Sequence, residues 1–590
     1  MTAPSSCAAY IMLLPFAVSP NVGATKGMGL PWQWCLSQGV IAACVAIALK
    51  LLDALWWRPR RVERHFAQQG VRGPPYCFFI GCIREMTALM PDSSSKPTMP
   101  LDNHNILPRV LPFYHHWKNI YGTLLSIPLL LGVLPFSFIA FGVSVSGSPF
   151  LLWFGATPRL AVSDPELIRE ILLARSDVFE RYAPHPVARQ LEGDGLVNLR
   201  DKKWAHHRKV LTPTFHMDNL KVGPVSLPPP SLLLQLLMPF IGKSVLGMVE
   251  GIPSSGEEVE INVSEWFQTV AEEVVTQATF GRSYDEGKAV FQLQSRQMTL
   301  AAEAFRNVFI PGFRFLPTKT NTNSWKLEKE IGRRLVELIS RRRERPEEEK
   351  GSTKSHGNAK DLLGLMIDAG EPKQRSTASS SMTVGDIVEE CKTFFFAGKQ
   401  TTSNLLTWMT VLLAMHQEWQ ERAREEVLRV CGGRDVPSWE HLPKLKTLGM
   451  IIHETLRLYP PAVATIREAK RDVVLGGYWI PSGTEILIPI MGLHHDAELW
   501  GSNVAAFSPE RFADGAACAA RHPTAFLPFG LGPRMCIGQN LAILEAKLTM
   551  AVLLQRFAFR LSPSYVHAPT VLMLLYPQYG APVIFRPLTS

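Results

Sequence analysis

One ten-residue stretch near the C-terminus, FGLGPRMCIG at residues 529–538, has the residue types and spacing to bind a metal ion through sulfur. Its glycines and proline predict a loop that runs into an amphipathic helix from Gln539 to Phe557. Cys536 then lies at the N-terminus of a helix, where the positive end of the dipole favours the thiolate over the thiol. Such a soft, anionic sulfur is a suitable ligand for iron.

The neighbours of Cys536 fit a flat, iron-containing ligand that carries carboxylates. Gly532 allows a turn that brings backbone N–H groups toward the sulfur, and Gly538 allows the helix to lie close against the ligand. Phe529 shields the thiolate from water, and Arg534 pairs with a carboxylate. A haem meets these demands, because a cysteine thiolate on its iron favours O–O cleavage. The alternative for one cysteine among nine is a small, buried apolar residue.

The loop matches the pattern Phe-x-x-Gly-x-Arg-x-Cys-x-Gly at every fixed position, and by this motif the sequence resembles the cytochrome P-450 superfamily of haem-thiolate monooxygenases. The resemblance is to the plant microsomal type and covers most of residues 76–590. It implies a mainly α fold with small β-sheets, preceded by one N-terminal membrane anchor. It also implies haem b as the cofactor, with the Cys536 thiolate as the axial ligand of the iron.

A second motif, AGKQTT at residues 397–402, lies within a long predicted helix that begins at Thr383. Glycine in a helix interior costs about 1 kcal/mol relative to alanine. Gly398 therefore needs a reason, and room for dioxygen and substrate is one. Thr401 supplies a hydroxyl that orients water and passes protons to the bound oxygen. Gln400 stands where the family usually has an acid, so water must replace a carboxylate relay there. The alternative is a tolerated glycine and two ordinary threonines in a buried helix.

Glu454 and Arg457 stand at i and i+3 on one face of a predicted helix whose neighbouring residues are apolar. An exposed pair of this kind contributes only about 0.3 kcal/mol, but the apolar neighbours predict that this pair is buried. It resembles the Glu-x-x-Arg pair of the family, and the resemblance adds Arg511 from FSPERF at residues 507–512. The expected role is structural, because a buried network of this kind holds the cysteine loop.

The resemblance implies a set of residues that bind the haem propionates: Trp204, Arg208, Arg467 and Arg534. Trp204 and Arg208 match the Trp-x-x-x-Arg pattern of the family, and one helical turn between them lets both face one edge of the ligand. Two weaker candidates are His207 and His494. The alternative for the first pair is a solvated basic helix, because three lysines lie beside it.

An apolar segment at residues 39–57 is long enough to span a membrane. Four arginines follow it directly, against one lysine upstream, so the positive-inside rule places the following domain in the cytosol. By resemblance, the membrane is that of the endoplasmic reticulum. Residues 1–38 form a lead segment, and residues 58–75 a basic, proline-rich linker to the domain at 76–590. A cleaved signal peptide is the alternative, but the segment lacks a basic leader.

Two segments of the domain have the character of insertions, at about residues 123–147 and 222–235. The first contains an uncharged apolar run of membrane-span length, but prolines and glycines interrupt it and we expect it not to span. Two explanations stay open, retained intron sequence and insertions tolerated at the surface. A cDNA that contains both segments would exclude the intron explanation.

Most of the remaining sequence predicts helices with few strands. The Thr383 hydroxyl is expected to cap the long helix while Asp386 reaches back to it. Short strands are predicted at residues 153–154, 160–162, 473–475 and 485–488.

Composition limits the class of protein and its partners. The 590 residues carry a net charge of +9, and 46% of them are hydrophobic, which allows a large core. No C-x-x-C spacing or nucleic-acid motif is present, so a reducing compartment is expected and nucleic acid is not. No Gly-x-Gly-x-x-Gly stretch is present either, which implies a separate, NADPH-dependent flavoprotein reductase that the positive charge helps to attract.

Uncharged, largely apolar segments at residues 460–465 and 576–580 correspond to substrate-lining segments in the family and favour a lipophilic substrate. Residues 396–408 and 418–427 resemble the plant branch that inactivates brassinosteroid hormones by C-26 hydroxylation of the side chain. The alternatives are hydroxylation of a gibberellin, cytokinin or terpenoid, or a non-catalytic membrane haem protein. A further alternative is a haem-free protein that the insertions keep from folding.

Overall fold

The computed structural model describes residues 31–90, 98–122, 147–215, 232–252, 257–305, 316–344, 361–370, 382–433 and 435–588. The chain divides into two compact units, residues 1–58 and residues 59–590. The second unit contains every candidate site residue.

The N-terminal unit is built on one apolar helix. Helix α1, Pro31–Leu52, is followed by one wider turn, Asp53–Trp57. In the described part of the chain, one helical run is long and apolar enough to cross a membrane, Gln38–Gln68. It contains the predicted anchor at residues 39–57, and the large apolar side chains described for α1 are exposed, as expected where the solvent is lipid.

The rest of the chain is mainly helical. The first helices are α2 Arg58–Gln68, α3 Ile83–Leu89, α4 Leu107–Val110, α5 Pro112–Tyr121, α6 Pro165–Arg169, α7 Pro186–Glu192, α8 Asp201–Phe215, α9 Leu232–Glu250 and α10 Val263–Phe280. The later ones are α11 Tyr284–Phe305, α12 Lys319–Glu344, α13 Leu362–Gly370, α14 Val384–Met415, α15 Gln417–Cys431, α16 Lys446–Leu458, α17 Ile490–His494, α18 Ala497–Trp500 and α19 Gln539–Arg556.

The strands are short: β1 Phe150–Phe154, β2 Thr157–Ala161, β3 Phe179–Arg181, β4 Val259–Asn262, β5 Thr465–Ala469, β6 Val473–Leu475, β7 Tyr478–Ile480, β8 Glu485–Ile488, β9 Phe557–Leu561, β10 Pro569–Val571, β11 Leu575–Pro577 and β12 Pro582–Pro587. They form one sheet of five strands, in the order β1-β2-β8-β5-β3, and three smaller sheets. The predicted mainly α fold with small β-sheets is confirmed, and the four predicted strands lie in β1, β2, β6 and β8.

Helix α14 runs through the middle of the large unit and packs against α10, α16 and α19. Its start has the predicted capping box, because the Thr383 hydroxyl accepts from the Asp386 N–H at 3.1 Å and the Asp386 carboxylate accepts from the Thr383 N–H at 3.0 Å. Nearly all of the helix is buried on both sides of its middle turn. The two ends of α14 therefore contribute packing residues, and its middle turn is left available for functional side chains.

Strands β3 and β5 place the candidate residue Arg467 beside a second arginine. They pair antiparallel, with Glu180 opposite Glu468 and Arg181 opposite Arg467. The chain continues from β3 through α7 to α8, the helix of Trp204, and β5 follows α16, the helix of Glu454.

The predicted segment boundaries fall differently on the structure. The linker at residues 58–75 contains a helix, α2, and becomes irregular only after Gln68. Of the predicted insertions, all of 123–147 except Gly147, and all of 222–235 except the first turn of α9, lie outside the described residues. The insertions stay predictions.

Candidate functional site

The cysteine loop is closed by its own backbone. The Cys536 N–H donates to the Phe529 carbonyl oxygen at 2.8 Å, and the Met535 N–H donates to the Gly532 carbonyl oxygen at 3.0 Å. Helix α19 then begins at Gln539, where the sequence predicted it. The loop therefore holds the cysteine one turn ahead of a helix N-terminus.

The Cys536 side chain is accessible and is nevertheless shielded from bulk water. It is exposed on the loop surface, yet burial raises the pKa of its thiol, and the backbone N–H groups of Gly538 and Gln539 and the charge of Arg208 only partly oppose this. Both properties fit a side chain in the wall of an internal cavity. The helix dipole therefore does not decide the charge of this thiol, because desolvation outweighs it.

The two glycines of the loop differ in what surrounds them. Gly532 has φ of +76°, and a Cβ there would lie 2.1 Å from the Leu172 carbonyl oxygen, so glycine is required both for the turn and for close packing. A Cβ on Gly538 would meet nothing within 4 Å. The N–H groups that lower the pKa of the Cys536 thiol are those of Gly538 and Gln539. The role predicted for Gly532, a turn that brings N–H groups toward the sulfur, stays a prediction.

Arg467 is a buried cation without an acidic partner among the described residues. Its Nη1 donates to the Thr465 hydroxyl at 3.0 Å and to the Ile466 carbonyl oxygen at 3.1 Å. Burial, and then repulsion by Arg181 and Arg534, lower its pKa to about 9. A guanidinium in this position is strongly stabilised by an incoming anion, because burying an unpaired charge is costly.

Arg534 and Trp204 are in contact. The Arg534 guanidinium lies over the Trp204 ring, 4.4 Å from its centroid, and Nη2 donates to the Leu199 carbonyl oxygen at 2.9 Å and to Glu180 at 3.3 Å. Burial lowers the pKa of Arg534 to about 10, although Glu180 opposes this. Trp204 therefore orients the cation by its ring face, as cation–π contacts do.

Arg208 is the arginine whose charge lowers the pKa of the Cys536 thiol. It has no hydrogen-bond partner among the residues that the structure describes, and burial lowers its pKa while the charge of Cys536 raises it. The two side chains thus stabilise each other's charged forms. Arg208 is therefore the cation that acts on Cys536, whereas Arg534 acts on Arg467.

The two weaker histidine candidates are engaged elsewhere. His207 Nδ1 lies 2.6 Å from Glu390 Oε1, both side chains are buried, and Glu390 Oε2 accepts from the Leu196 N–H at 3.0 Å. His494 Nε2 accepts from the Leu527 N–H at 3.0 Å. Sequence reasoning missed Glu390, and no local signal separates it from the adjacent Glu389.

The middle turn of α14 is less buried than the turns on either side of it. Phe396, Ala397, Gly398, Gln400 and Thr401 are half-buried, whereas the residues before and after them are almost all fully buried. The Thr401 hydroxyl donates to the Ala397 carbonyl oxygen at 2.6 Å, which competes with the helical hydrogen bonds at this turn. The hydroxyl and the carboxamide predicted to handle protons are therefore accessible.

Gly398 lies where α14 packs closely against α10. A Cβ at this position would lie 2.7 Å from Val275 Cγ2 on α10, so the missing side chain allows two helices to approach. Lys399 adds to this contact, since its Nζ lies 2.5 Å from Glu272 on α10 and 2.8 Å from the Ser295 hydroxyl on α11. The groove for dioxygen predicted at Gly398 stays a prediction.

We expect Gly398→Ala to lower the free energy of unfolding by up to about 2 kcal/mol, because overpacking costs about 1–3 kcal/mol and the helix-propensity gain offsets about 1 kcal/mol of that cost. Adding Val275→Ala should recover part of the loss, which denaturant unfolding of a double-mutant cycle measures. Gly332→Ala on α12 is the matched control, because a Cβ there meets nothing within 4 Å and the change should stabilise. A loss of stability at Gly332 and none at Gly398 would contradict the assignment.

The Glu454–Arg457 pair is fully buried. Arg457 donates to both carboxylate oxygens of Glu454 at 2.7 Å, and its remaining N–H groups donate to the carbonyl oxygens of His494, Val504 and Ala506. Arg511 Nε lies 3.6 Å from Glu454 Oε1, which is an ion pair rather than a hydrogen bond. All five guanidinium donors of Arg457 are satisfied.

The structure joins most of the predicted site residues into two groups. Phe529, Arg534, Cys536, Trp204, Arg208 and Arg467 form the first, and Glu454, Arg457 and Arg511 form the second. Gln400 and Thr401 make no direct contact with Cys536 and are related to it through the packing of α14 against α19.

The family model described as Cytochrome P-450 matches residues 143–580. The chain belongs to the cytochrome P-450 family. It is 61% identical to cytochrome P-450 734A6 of Oryza sativa subsp. japonica over 570 residues, which are 95% of this chain and 97% of that protein. It is 56% identical to cytochrome P-450 734A1 of Arabidopsis thaliana over 95% of this chain and 98% of that protein, and 36% identical to secologanin synthase 1 of Catharanthus roseus over 93% and 97%.

Membership of the cytochrome P-450 family makes the protein a monooxygenase whose family binds haem iron through a thiolate. The residues of this cytochrome P-450 fit such a group. Cys536 is an accessible thiol, the space beyond Gly538 is open, and the buried guanidinium of Arg467 has no acidic partner among the described side chains. Members of the family use dioxygen and a redox partner, and the N-terminal apolar helix fits a membrane anchor.

Proposed function

We propose that this cytochrome P-450 binds haem b through the Cys536 thiolate and hydroxylates a lipophilic substrate, specifically the C-26 position of the brassinosteroid side chain. The observation that carries the haem assignment is the accessible yet desolvated Cys536 facing Arg208, within a cluster of partly buried arginines. The substrate assignment is supported by the resemblance of residues 396–408 and 418–427 to the brassinosteroid-inactivating branch.

The residues of the loop and the arginines have distinct roles in this proposal. Cys536 Sγ holds the iron, and Arg208 lowers the cost of keeping this sulfur anionic. Arg467 and Arg534 bind the haem carboxylates, with Trp204 as the surface on which Arg534 rests. Phe529 excludes water from the sulfur, and Gly538 leaves room for the ring. When bound, the haem supplies thiolate-assisted activation of dioxygen.

The middle turn of α14 supplies the proton chemistry. Thr401 Oγ1 can release its hydrogen bond to the Ala397 carbonyl oxygen and hold a water molecule in the accessible space instead. Gln400 is half-buried beside it and orients that water through its carboxamide without titrating. Protons therefore reach the reacting oxygen through Thr401 and water rather than through a carboxylate.

The remaining parts of the proposal concern partners and location. Electrons come from an NADPH-dependent flavoprotein reductase, supported by the absence of a dinucleotide-binding motif in the sequence and by the net charge of +9. A single N-terminal span in the endoplasmic reticulum membrane, with the catalytic unit in the cytosol, is supported by the arginines that follow the apolar helix. A lipophilic substrate can then enter from the membrane.

We expect Thr401→Val to lower product formation by about 100-fold, the lower end of what positioned proton transfer contributes. Valine keeps the shape of threonine but removes the hydroxyl, so the chain should still bind haem. The measurement compares product formed with NADPH consumed in the presence of reductase, and we expect consumption to continue without matching product. Unchanged coupling of the two would show that Thr401 carries no proton.

The decisive test of the proposed function is the carbon-monoxide difference spectrum of the reduced full chain, followed by turnover of a brassinosteroid with reductase and mass spectrometry of the product. A red-shifted Soret band and a product hydroxylated at C-26 are expected. The band without substrate-dependent NADPH consumption would favour a non-catalytic haem protein. Turnover of a gibberellin, a cytokinin or a terpenoid in place of the steroid would replace the substrate assignment. Absence of the band would overturn the proposal.

A further inference from the structure

Glu180 is a nearly buried carboxylate that three separate segments contact. It lies in β3 and is 7% exposed. Its Oε1 accepts from the Asp201 N–H at 2.6 Å and from Arg534 Nη2 at 3.3 Å, and its Oε2 lies 3.3 Å from Lys470 Nζ. No short-range sequence motif contains this residue and its partners.

Each partner of Glu180 belongs to a segment that also carries a candidate ligand of the haem carboxylates. Asp201 is the first residue of α8, the helix of Trp204 and Arg208. Arg534 lies in the cysteine loop, and Lys470 directly follows β5, the strand of Arg467. One carboxylate therefore connects the helix, the loop and the strand that surround the cationic edge of the site.

Backbone strain at the start of α8 is an independent sign that this connection matters. Asp201 has φ of +50°, and only one other non-glycine residue in the described ranges, Phe79, has a positive φ. Such a conformation persists only where the surroundings hold it. Here the Asp201 N–H is bound by Glu180 and the Asp201 carboxylate is paired with Lys470.

The charges around Glu180 explain why an acid is needed. Arg534 lies among other cations, because Arg181 and Arg200 lower its pKa in addition to burial, and Glu180 is the group that opposes them. Without it, Arg534 would keep one hydrogen bond, to the Leu199 carbonyl oxygen. The guanidinium would then be free to turn away from Trp204.

We propose that Glu180 is the positioning residue of the haem-carboxylate edge: it fixes Arg534 over Trp204 and fixes the start of α8, so that Arg534 and Arg208 present their guanidinium groups to the haem. It acts through Arg534 and α8 and does not itself touch the haem. This inference rests on the proposed function, since it concerns the same haem.

The test measures the rate at which haem leaves the full-length protein for an excess of apomyoglobin, together with thermal unfolding of each variant. Glu180→Ala should speed haem loss by about tenfold or more, because it removes a charge-assisted contact and frees the start of α8. Glu180→Gln keeps an oxygen acceptor for the Asp201 N–H and should lie between Glu180→Ala and the wild type.

Glu468→Ala is the matched control. Glu468 stands opposite Glu180 in the strand pair and binds an arginine, Arg200, at 3.0 Å, but makes no contact with Arg534 or Asp201. Haem loss from this variant should equal that of the wild type. Equal acceleration in Glu468→Ala and Glu180→Ala would mean general destabilisation of the sheet and would overturn the inference.

The remaining outcomes distinguish a failure of the role proposed for Glu180 from a failure of the proposed function. If the wild type shows the thiolate Soret band and both Glu180 variants lose haem at the wild-type rate, the proposed function stands and the role of Glu180 is overturned. If the wild type binds no haem, the proposed function fails and the inference fails with it. If Glu180→Ala does not fold, the rate of haem loss from Glu180→Gln is compared with that from Glu468→Ala. Faster loss from Glu180→Gln supports the inference, and equal rates overturn it.

Discussion

Cys536→Ser is expected to abolish the red-shifted Soret band of the reduced, carbon-monoxide-treated protein and to reduce substrate turnover to background. Serine keeps the size of the side chain and the backbone bond to Phe529, but a hydroxyl remains protonated and cannot replace a soft thiolate on iron. Difference spectroscopy and haem content measured on the same preparation give the result directly.

Cys518→Ser is the control for this experiment. Cys518 is also an exposed free thiol, and it lies outside the loop that contains Cys536. Its loss should leave both spectrum and turnover unchanged. If the thiolate band survives in Cys536→Ser and disappears in Cys518→Ser, the iron is bound by Cys518 and the assignment to Cys536 is wrong.

Glu454→Ala is expected to lower the free energy of unfolding by about 3–5 kcal/mol, the cost of leaving one member of a buried ion pair without its partner. Arg457 is fully buried and would keep only bonds to backbone carbonyls. The Ser508 N–H, which donates to Glu454 Oε1 at 2.9 Å, would lose its acceptor too. Denaturant unfolding and the yield of soluble, haem-loaded protein both report the effect.

Glu330→Ala provides a matched comparison, because Glu330 binds Arg333 at the same i, i+3 spacing and also through two hydrogen bonds, at 3.0 and 2.9 Å. That pair is exposed to solvent, so its loss should leave stability unchanged within error. Similar effects of the two substitutions would show that burial does not decide the contribution of the Glu454 pair.

The elements that could be predicted from the sequence are those whose start or end depends on neighbouring residues. The capping box at Thr383, the start of α19 at Gln539 and the strands in β6 and β8 all depend on residues within a few positions of each other. The cysteine motif is local as well, and it was sufficient to indicate the family. Local signals are readable because backbone geometry fixes which near neighbours can meet.

Contacts between residues far apart in the sequence become visible in the tertiary structure alone. Glu180 and Arg534 are 354 positions apart, and His207 and Glu390 are 183 apart, so no spacing rule links either pair. The direction of Gly398 toward Val275 depends on how α14 packs on α10, and the raised pKa of the Cys536 thiol depends on everything that surrounds it. The sequence names the chemical groups, but burial and long-range contacts set their charge and orientation, because both follow from how the elements pack together.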